Sequence, residues 1–107
     1  MNRPEIILLP LARQDLRDIW SYVARENSEL VADLLLTRIE ATLEVLAFVP
    51  LIGARRHDFP GKPYSFPVRP YAVFYVRNPG GEGIVVWRVL HGARNMKRIV
   101  KKPKDKK

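Results

Sequence analysis

Cysteine is absent from this chain, so neither a disulfide framework nor a thiolate metal site can be built from it. Histidine is nearly absent. His57 and His91 are too few for a zinc or iron site, and the reading assigns no metal and no cofactor. No run approaches the ~18 apolar residues of a membrane span. The opening "MNRPEIILLPLARQD" has too short an apolar core, followed too soon by arginine and aspartate, to read as a signal peptide. The expectation is a soluble cytoplasmic domain with no membrane partner. Signatures of common chemistries are missing too. The glycines of "GGEG" lack the lysine and following helix of a phosphate-cradling loop. Ser21, Ser28 and Ser65 have no nucleophile-elbow motif around them. Most of the acids fall on predicted helix faces and turns, and the central strands contribute none, so no carboxylate pair suggests itself.

Acids are also scarce relative to bases: Asp+Glu 11 against Lys+Arg 19, a formal net charge of +8 and a pI near 10.2. Such an excess points to an anionic partner, either nucleic acid or an acidic protein. Part of it lies in "KKPKDKK" (101–107), which has no apolar residue and is expected to be disordered, as a solubilising tail or a contact. The domain is read as 1–98 and the basic tail as 99–107. The body stays arginine-rich in its second half, through Arg55, Arg56, Arg69, Arg77, Arg88 and Arg94. With 107 residues the chain is one domain by length, long enough to bury roughly 65% of its extended surface.

Hydrophobic periodicity orders the chain. "EIILL" (5–9) reads as a strand closed by Pro10. From Pro10 the period becomes helical, with Ala12, Leu16, Ile19 and Val23 on one face and charged residues on the other. Asn27 and Ser28 supply turn and capping chemistry. A second helix follows from about Ser28 to Phe48, with a stripe of Val31 or Ala32, Leu35, Ile39, Thr42 or Leu43, and Leu46. Pro50 and Gly53 stop it. "RRHDF" (55–59) is a candidate short edge strand, and "YSFPVR" (64–69) is confined to an edge or a bulge by Pro67. "YAVFYVR" (71–77) and "IVVWRVLH" (84–91) are the central strands, joined as an antiparallel hairpin by "NPGGEG". The fold class is α+β, in the order β-α-α-β-β-β: a helical hairpin packed on a small antiparallel sheet.

Strict alternation along 84–91 places Ile84, Val86, Arg88 and Leu90 on one face, and Val85, Trp87, Val89 and His91 on the other. Both faces are largely apolar. The helices cover one, and so short a chain has nothing obvious for the other. That argues for a partner, the alternative being that the chain beyond Gly92 folds back over it. The chemically suggestive set is basic: Arg88, His91 and Arg94, with His57 as a further candidate. Histidine as general base beside a phosphate-holding arginine is a pattern for RNA cleavage. The competing reading makes His91 a structural hydrogen-bonding residue and sets Arg88 half-buried against a carboxylate.

Residues 4–98 resemble the ParE toxins of the RelE/ParE superfamily of type II toxin–antitoxin modules. The resemblance is carried by "LARQDLRDIWSYVARENSELVADLLLTRIEATLEVLAFVPLIG", then "GARR", "FPVRPYAVFY" and above all "VVWRVLHGARN". It implies a helical hairpin on an antiparallel sheet, and a growth-inhibiting, plasmid-stabilising toxin that poisons DNA gyrase, any DNA contact being made indirectly through gyrase. It also implies a ParD-like antitoxin whose acidic C-terminal segment wraps the toxin as a hetero-oligomer. Arg55, Arg56, Arg88, His91 and Arg94 are the candidate antitoxin- or target-binding residues. The sister RelE branch cuts mRNA on the ribosome, and its pattern fits poorly. Its strand lysines fall where this chain reads "YSFPVR", its arginine where Ala72 stands, and its terminal tyrosine has no counterpart after Tyr75. Only Arg94 matches a RelE catalytic arginine, so Arg94 and His91 are catalytic candidates in that alternative alone. A third reading is a basic nucleic-acid-binding module without toxicity.

Overall fold

The computed structural model describes residues 3–92 together with Val100 and Pro103. Strand β1 (Glu5–Leu8) leads into helix α1 (Pro10–Glu26) and helix α2 (Glu29–Phe48). A single 3-10 turn (Pro50–Ile52) is followed by strands β2 (Ala54–Arg55), β3 (Tyr64–Val68), β4 (Tyr71–Arg77) and β5 (Gly83–His91). The five strands form one sheet in the order β1-β5-β4-β3-β2, and both helices pack on one face of it. The predicted α+β architecture is present. The sheet is mixed, because β1 runs parallel to β5, while β5-β4, β4-β3 and β3-β2 are antiparallel.

Local sequence accounts for the element boundaries. Pro10 occupies the first turn of α1, where its missing N–H leaves no bond unmade. Ser28 caps α2, its Oγ accepting from the Val31 N–H at 3.1 Å. Trp20 Nε1 donates to Asp33 Oδ1 at 2.8 Å and ties the two helices together. In the β4–β5 turn, Asn78 accepts on its side chain from the Gly80 N–H at 3.0 Å. Gly83 has φ 111°, and a Cβ there would run into the Glu5 backbone, so glycine is what lets β1 lie against β5. Pro67 pairs with Ala72 on β4, and β2 covers β3 only at Tyr64 and Ser65, leaving the proline on a free edge as expected. The predicted strand over 55–59 shrinks to Ala54–Arg55. Beyond it the chain turns, with the Phe59 N–H bonded to Arg56 O and the Lys62 N–H to Phe59 O.

The helix-side core takes Ala12, Ile19 and Val23 from α1, and Ala32, Ile39, Leu43 and Leu46 from α2, against Val73, Tyr75, Ile84, Val86 and Val89. Leu16 and Leu35 lie at its margin, half-buried. Tyr75 is fully buried. Its hydroxyl donates to Pro50 O at 2.7 Å and accepts from the Gly53 N–H at 3.1 Å, fastening the end of α2 to the sheet.

Two expectations about β5 need correction. Tyr75 pairs with Val86 and Phe74 with Arg88, leaving Trp87 as an extra residue on β5. This β-bulge inverts the alternation beyond it. Val89 therefore joins the helix-side core and Leu90 the opposite face, the reverse of strict alternation. The opposite face is also covered from within the chain. Phe59, from the turn after β2, lies 5.2 Å ring to ring from Phe74. Trp87, Leu90 and Val100 complete a second buried cluster around them.

Candidate functional site

Helix α1 carries one charged residue on its apolar stripe. Asp15 sits between Ala12 and Ile19 and is buried with them. A carboxylate there needs a cation and hydrogen bonds, and the bulge in β5 supplies both. Arg88 Nε donates to Asp15 Oδ2 at 2.8 Å and Arg88 Nη2 to Oδ1 at 2.9 Å, a two-pronged pair. The Val89 N–H donates to Oδ2 at 3.0 Å. Strand β1 ends at the level of Val86, so beyond it β5 has an open edge, and Asp15 satisfies one amide on that edge. The hydrogen bonds Arg88 donates to Asp15 raise its pKa, burial opposing them. The reading of Arg88 as held against a carboxylate describes what it does.

Above this pair opens a cleft of about 490 Å³ between the second half of α1 and the ends of β4 and β5. Its walls include Ile19, Tyr22, Leu35, Pro70, Tyr71 and His91. Tyr71 and His91 meet edge to face at 5.4 Å across neighbouring strands, where they are direct partners. Burial, with a smaller contribution from Tyr22, pushes the Tyr71 hydroxyl above its ordinary pKa. Tyr22 is largely exposed on the helical rim, with the Arg25 guanidinium 5.9 Å from its ring centre. On the far side of Tyr71 and His91 a second, shallower hollow includes Pro67, Arg69 and Gly92. Arg38 of α2 donates to the Arg69 carbonyl and braces that corner.

Arg55 and Arg56 form a separate group at the β2 edge. Arg55 stacks over the Tyr64 ring at 5.1 Å and donates to Lys62 O at 2.8 Å. Arg56 lies 4.5 Å over the Phe59 ring, donates to Ser65 Oγ at 3.2 Å and pairs with Asp58 at 3.3 Å. No ion pair to Arg55 is found among the described residues. Exposed His57 lies in the same segment. Strands β4 and β3 separate β2 from β5, three strand spacings or roughly 14 Å. Arg88 and His91 share β5, and Arg55, Arg56 and His57 lie apart from both. Arg94 lies outside the described residues.

Phosphodiester cleavage by the described residues alone would need a cation free to hold phosphate beside the histidine. Arg88 is committed to Asp15, whereas the exposed Arg69 shares the second hollow with His91. The cleft has apolar and aromatic walls, with Asp15, Asp18 and His91 as its polar members. Sequence reasoning missed Asp15, Tyr22 and Tyr71 as members of this site. Asp15 had a signal: it is an acid at stripe spacing, three residues after Ala12 and four before Ile19. Tyr22 and Tyr71 had none, since their convergence depends on how the helix crosses the sheet.

Comparison with known proteins places this architecture. The family model for the ParE toxin of the type II toxin–antitoxin system, parDE, matches residues 6–96. Toxin ParE3 of Caulobacter vibrioides is 34% identical over 82 residues, covering 77% of this chain and 80% of that protein. A chain in the solved structure of the chromosomal ParDE TA system from P. aeruginosa superposes with a TM-score of 0.68 at 16% identity. That match covers 83% of this chain and 96% of the other, and establishes likeness of fold. With the family model spanning both helices, strands β2 to β5 and all but the first residue of β1, this chain belongs to the ParE toxin family of type II toxin–antitoxin systems.

Proposed function

We propose that this toxin stops growth in the cytoplasm by poisoning DNA gyrase, and that a ParD-like antitoxin neutralises it. Family membership across the whole folded body is the observation that carries the reading. The site chemistry agrees with it. The cleft beside Tyr71 and His91 suits an apolar anchor of a partner, and Arg55 and Arg56 present partly exposed guanidinium groups at the sheet edge. An acidic antitoxin segment would pair with these two arginines in forked geometry and continue toward His91. Arg88 contributes by fixing the β5 edge through Asp15. Any contact with DNA is made indirectly, through gyrase.

Expression without antitoxin tests the reading. Gyrase poisoning predicts filamentous cells and DNA-damage signalling before protein synthesis falls. Early loss of translation, with mRNA cut in ribosomal A sites, would establish RelE-like nuclease action instead. Salt-dependent DNA binding with no growth defect would establish a plain nucleic-acid-binding module. In the complex, Arg55→Ala or Arg56→Ala is expected to weaken antitoxin binding by ~2 kcal/mol where the pair is desolvated. Titration at moderate salt that finds both variants indistinguishable from the parent would remove the arginines from the interface.

A further inference from the structure

The chain leaves α2 through a turn that is apolar and exposed. Phe48, Val49, Leu51 and Ile52 are four large apolar side chains within five residues, and each is 45% exposed or more. Fraying does not explain them. The Tyr75 hydroxyl holds the Pro50 carbonyl and the Gly53 N–H, so the turn is fixed on the sheet. Phe48 and Leu51 rim a hollow of about 590 Å³ whose walls include the buried Ala47 and Gly83. A monomer seldom leaves such an apolar cluster in water, and a rigid one loses little freedom on docking.

Two charges decide the occupant. Arg77 ends β4 two residues after Tyr75, hence on the helix-facing side, and Glu82 precedes β5. Both are exposed and both line the hollow. Among the described residues no hydrogen bond or ion pair engages either side chain. Nearby Glu44 differs, since Arg3 holds it at 2.6 Å. An uncommitted cation and an uncommitted anion on one rim suit neither nucleic acid nor an acidic segment, which would set negative charge against Glu82. A lysine-rich segment meets the same objection at Arg77. A second copy of this chain meets neither: across a two-fold axis its Arg77 faces Glu82 and its Glu82 faces Arg77. We infer that the turn after α2 is a self-association face, where Phe48 and Leu51 of two copies pack together between reciprocal Arg77–Glu82 pairs. Four half-exposed side chains offer less than the roughly 800 Å² per partner of a standard interface, so the dimer is weak. Tyr71 and His91 lie at the opposite ends of β4 and β5, so their cleft stays open in it.

Sedimentation velocity on the full chain, over about a hundredfold range of concentration at moderate salt, is expected to show monomer passing into dimer. Phe48→Gln/Leu51→Gln, at exposed positions, should hold the chain monomeric while the far-ultraviolet circular dichroism stays unchanged. Arg77→Glu alone and Glu82→Arg alone each set like charges across the axis. Either should weaken association about tenfold or more, two exposed pairs being lost at once. An equimolar mixture of these two variants sets opposite charges across the axis again and should dimerise as the parent does. A separate structural role for either residue would not produce that recovery. A chain monomeric throughout, or dimers that survive the Phe48 and Leu51 changes, would overturn the inference. So would charge variants that associate like the parent, or a mixture no better than its components. Growth arrest in the expression assay is scored separately. A chain that arrests growth yet stays monomeric refutes this inference and leaves the toxin reading standing.

Discussion

Asp15→Ala is the substitution whose cost follows most directly from the geometry. The change removes both acceptors of the Arg88 guanidinium and the acceptor of the Val89 amide in one step. The side chains of Arg88 and Asp15 are 16% and 9% exposed, so water cannot fully replace the lost partner. Removing one member of a buried pair costs about 3–5 kcal/mol, mostly the penalty of the charge left behind. Arg88 cannot escape by losing its proton, because its pKa lies far above any working pH. For a domain whose whole margin is about 5–15 kcal/mol, such a loss is a large fraction of stability. It should lower the midpoint of thermal unfolding by roughly 15–30 °C. Replacing both partners, as Asp15→Leu/Arg88→Met, removes the stranded charge and is expected to recover most of the loss. Urea unfolding of the parent, Asp15→Ala and the double variant, at unchanged m-value, measures both costs. A cost below about 1 kcal/mol for Asp15→Ala, the range of exposed pairs, would show that the pair is solvated and the reasoning wrong.

Tyr75→Phe strands the Pro50 carbonyl and the Gly53 amide and should cost about 1–3 kcal/mol in the same urea assay. Stability should hold up to about pH 10, the ordinary tyrosine value, and then fall. Burial raises the Tyr71 and Tyr75 hydroxyls above that value, so the folded state keeps protons that the unfolded chain releases. Their stabilisation is therefore present below the unfolded pKa and lost as pH rises through the folded ones. Denaturation curves between pH 8 and 11 check this, and Tyr71→Phe should flatten part of the fall. Ile39→Asp buries a charge at a fully enclosed position and should unfold the domain. Leu16→Asp, at a half-buried one, should leave a measurable native baseline in circular dichroism.

Most of the helical layer is legible in the sequence, because the 3.6-residue period of Ala12, Ile19 and Val23 and of Ile39, Leu43 and Leu46 admits one inward face. The hairpin of β4 and β5 is equally plain from its β-branched runs and the "NPGGEG" turn. The bulge at Trp87 is not, since an extra residue leaves no composition signal and inverts every face assignment after it. The parallel placement of β1 is a tertiary choice, enabled by Gly83 and invisible to periodicity. Val100 covers the second face from beyond Gly92, the alternative the sequence allowed; the share of Phe59 was missed because it sits in a segment rich in proline, glycine and charge, where one apolar residue carries little weight. The candidate site was half visible. Arg88 and His91 stood out as unusual strand residues, whereas Asp15 was hidden among helix acids. The apolar turn after α2 is legible only as a helix stop, because Pro50 and Gly53 dominate it.

The central claim is a gyrase-directed toxin, and purified gyrase tests it most directly. The purified chain, added to gyrase with ATP and plasmid DNA, is expected to convert plasmid to gyrase-linked cleaved forms in proportion to toxin added. Excess antitoxin should abolish the effect. Unchanged supercoiling with no cleaved DNA at any toxin concentration, from a preparation that still arrests growth or cuts ribosome-bound mRNA, would contradict the account.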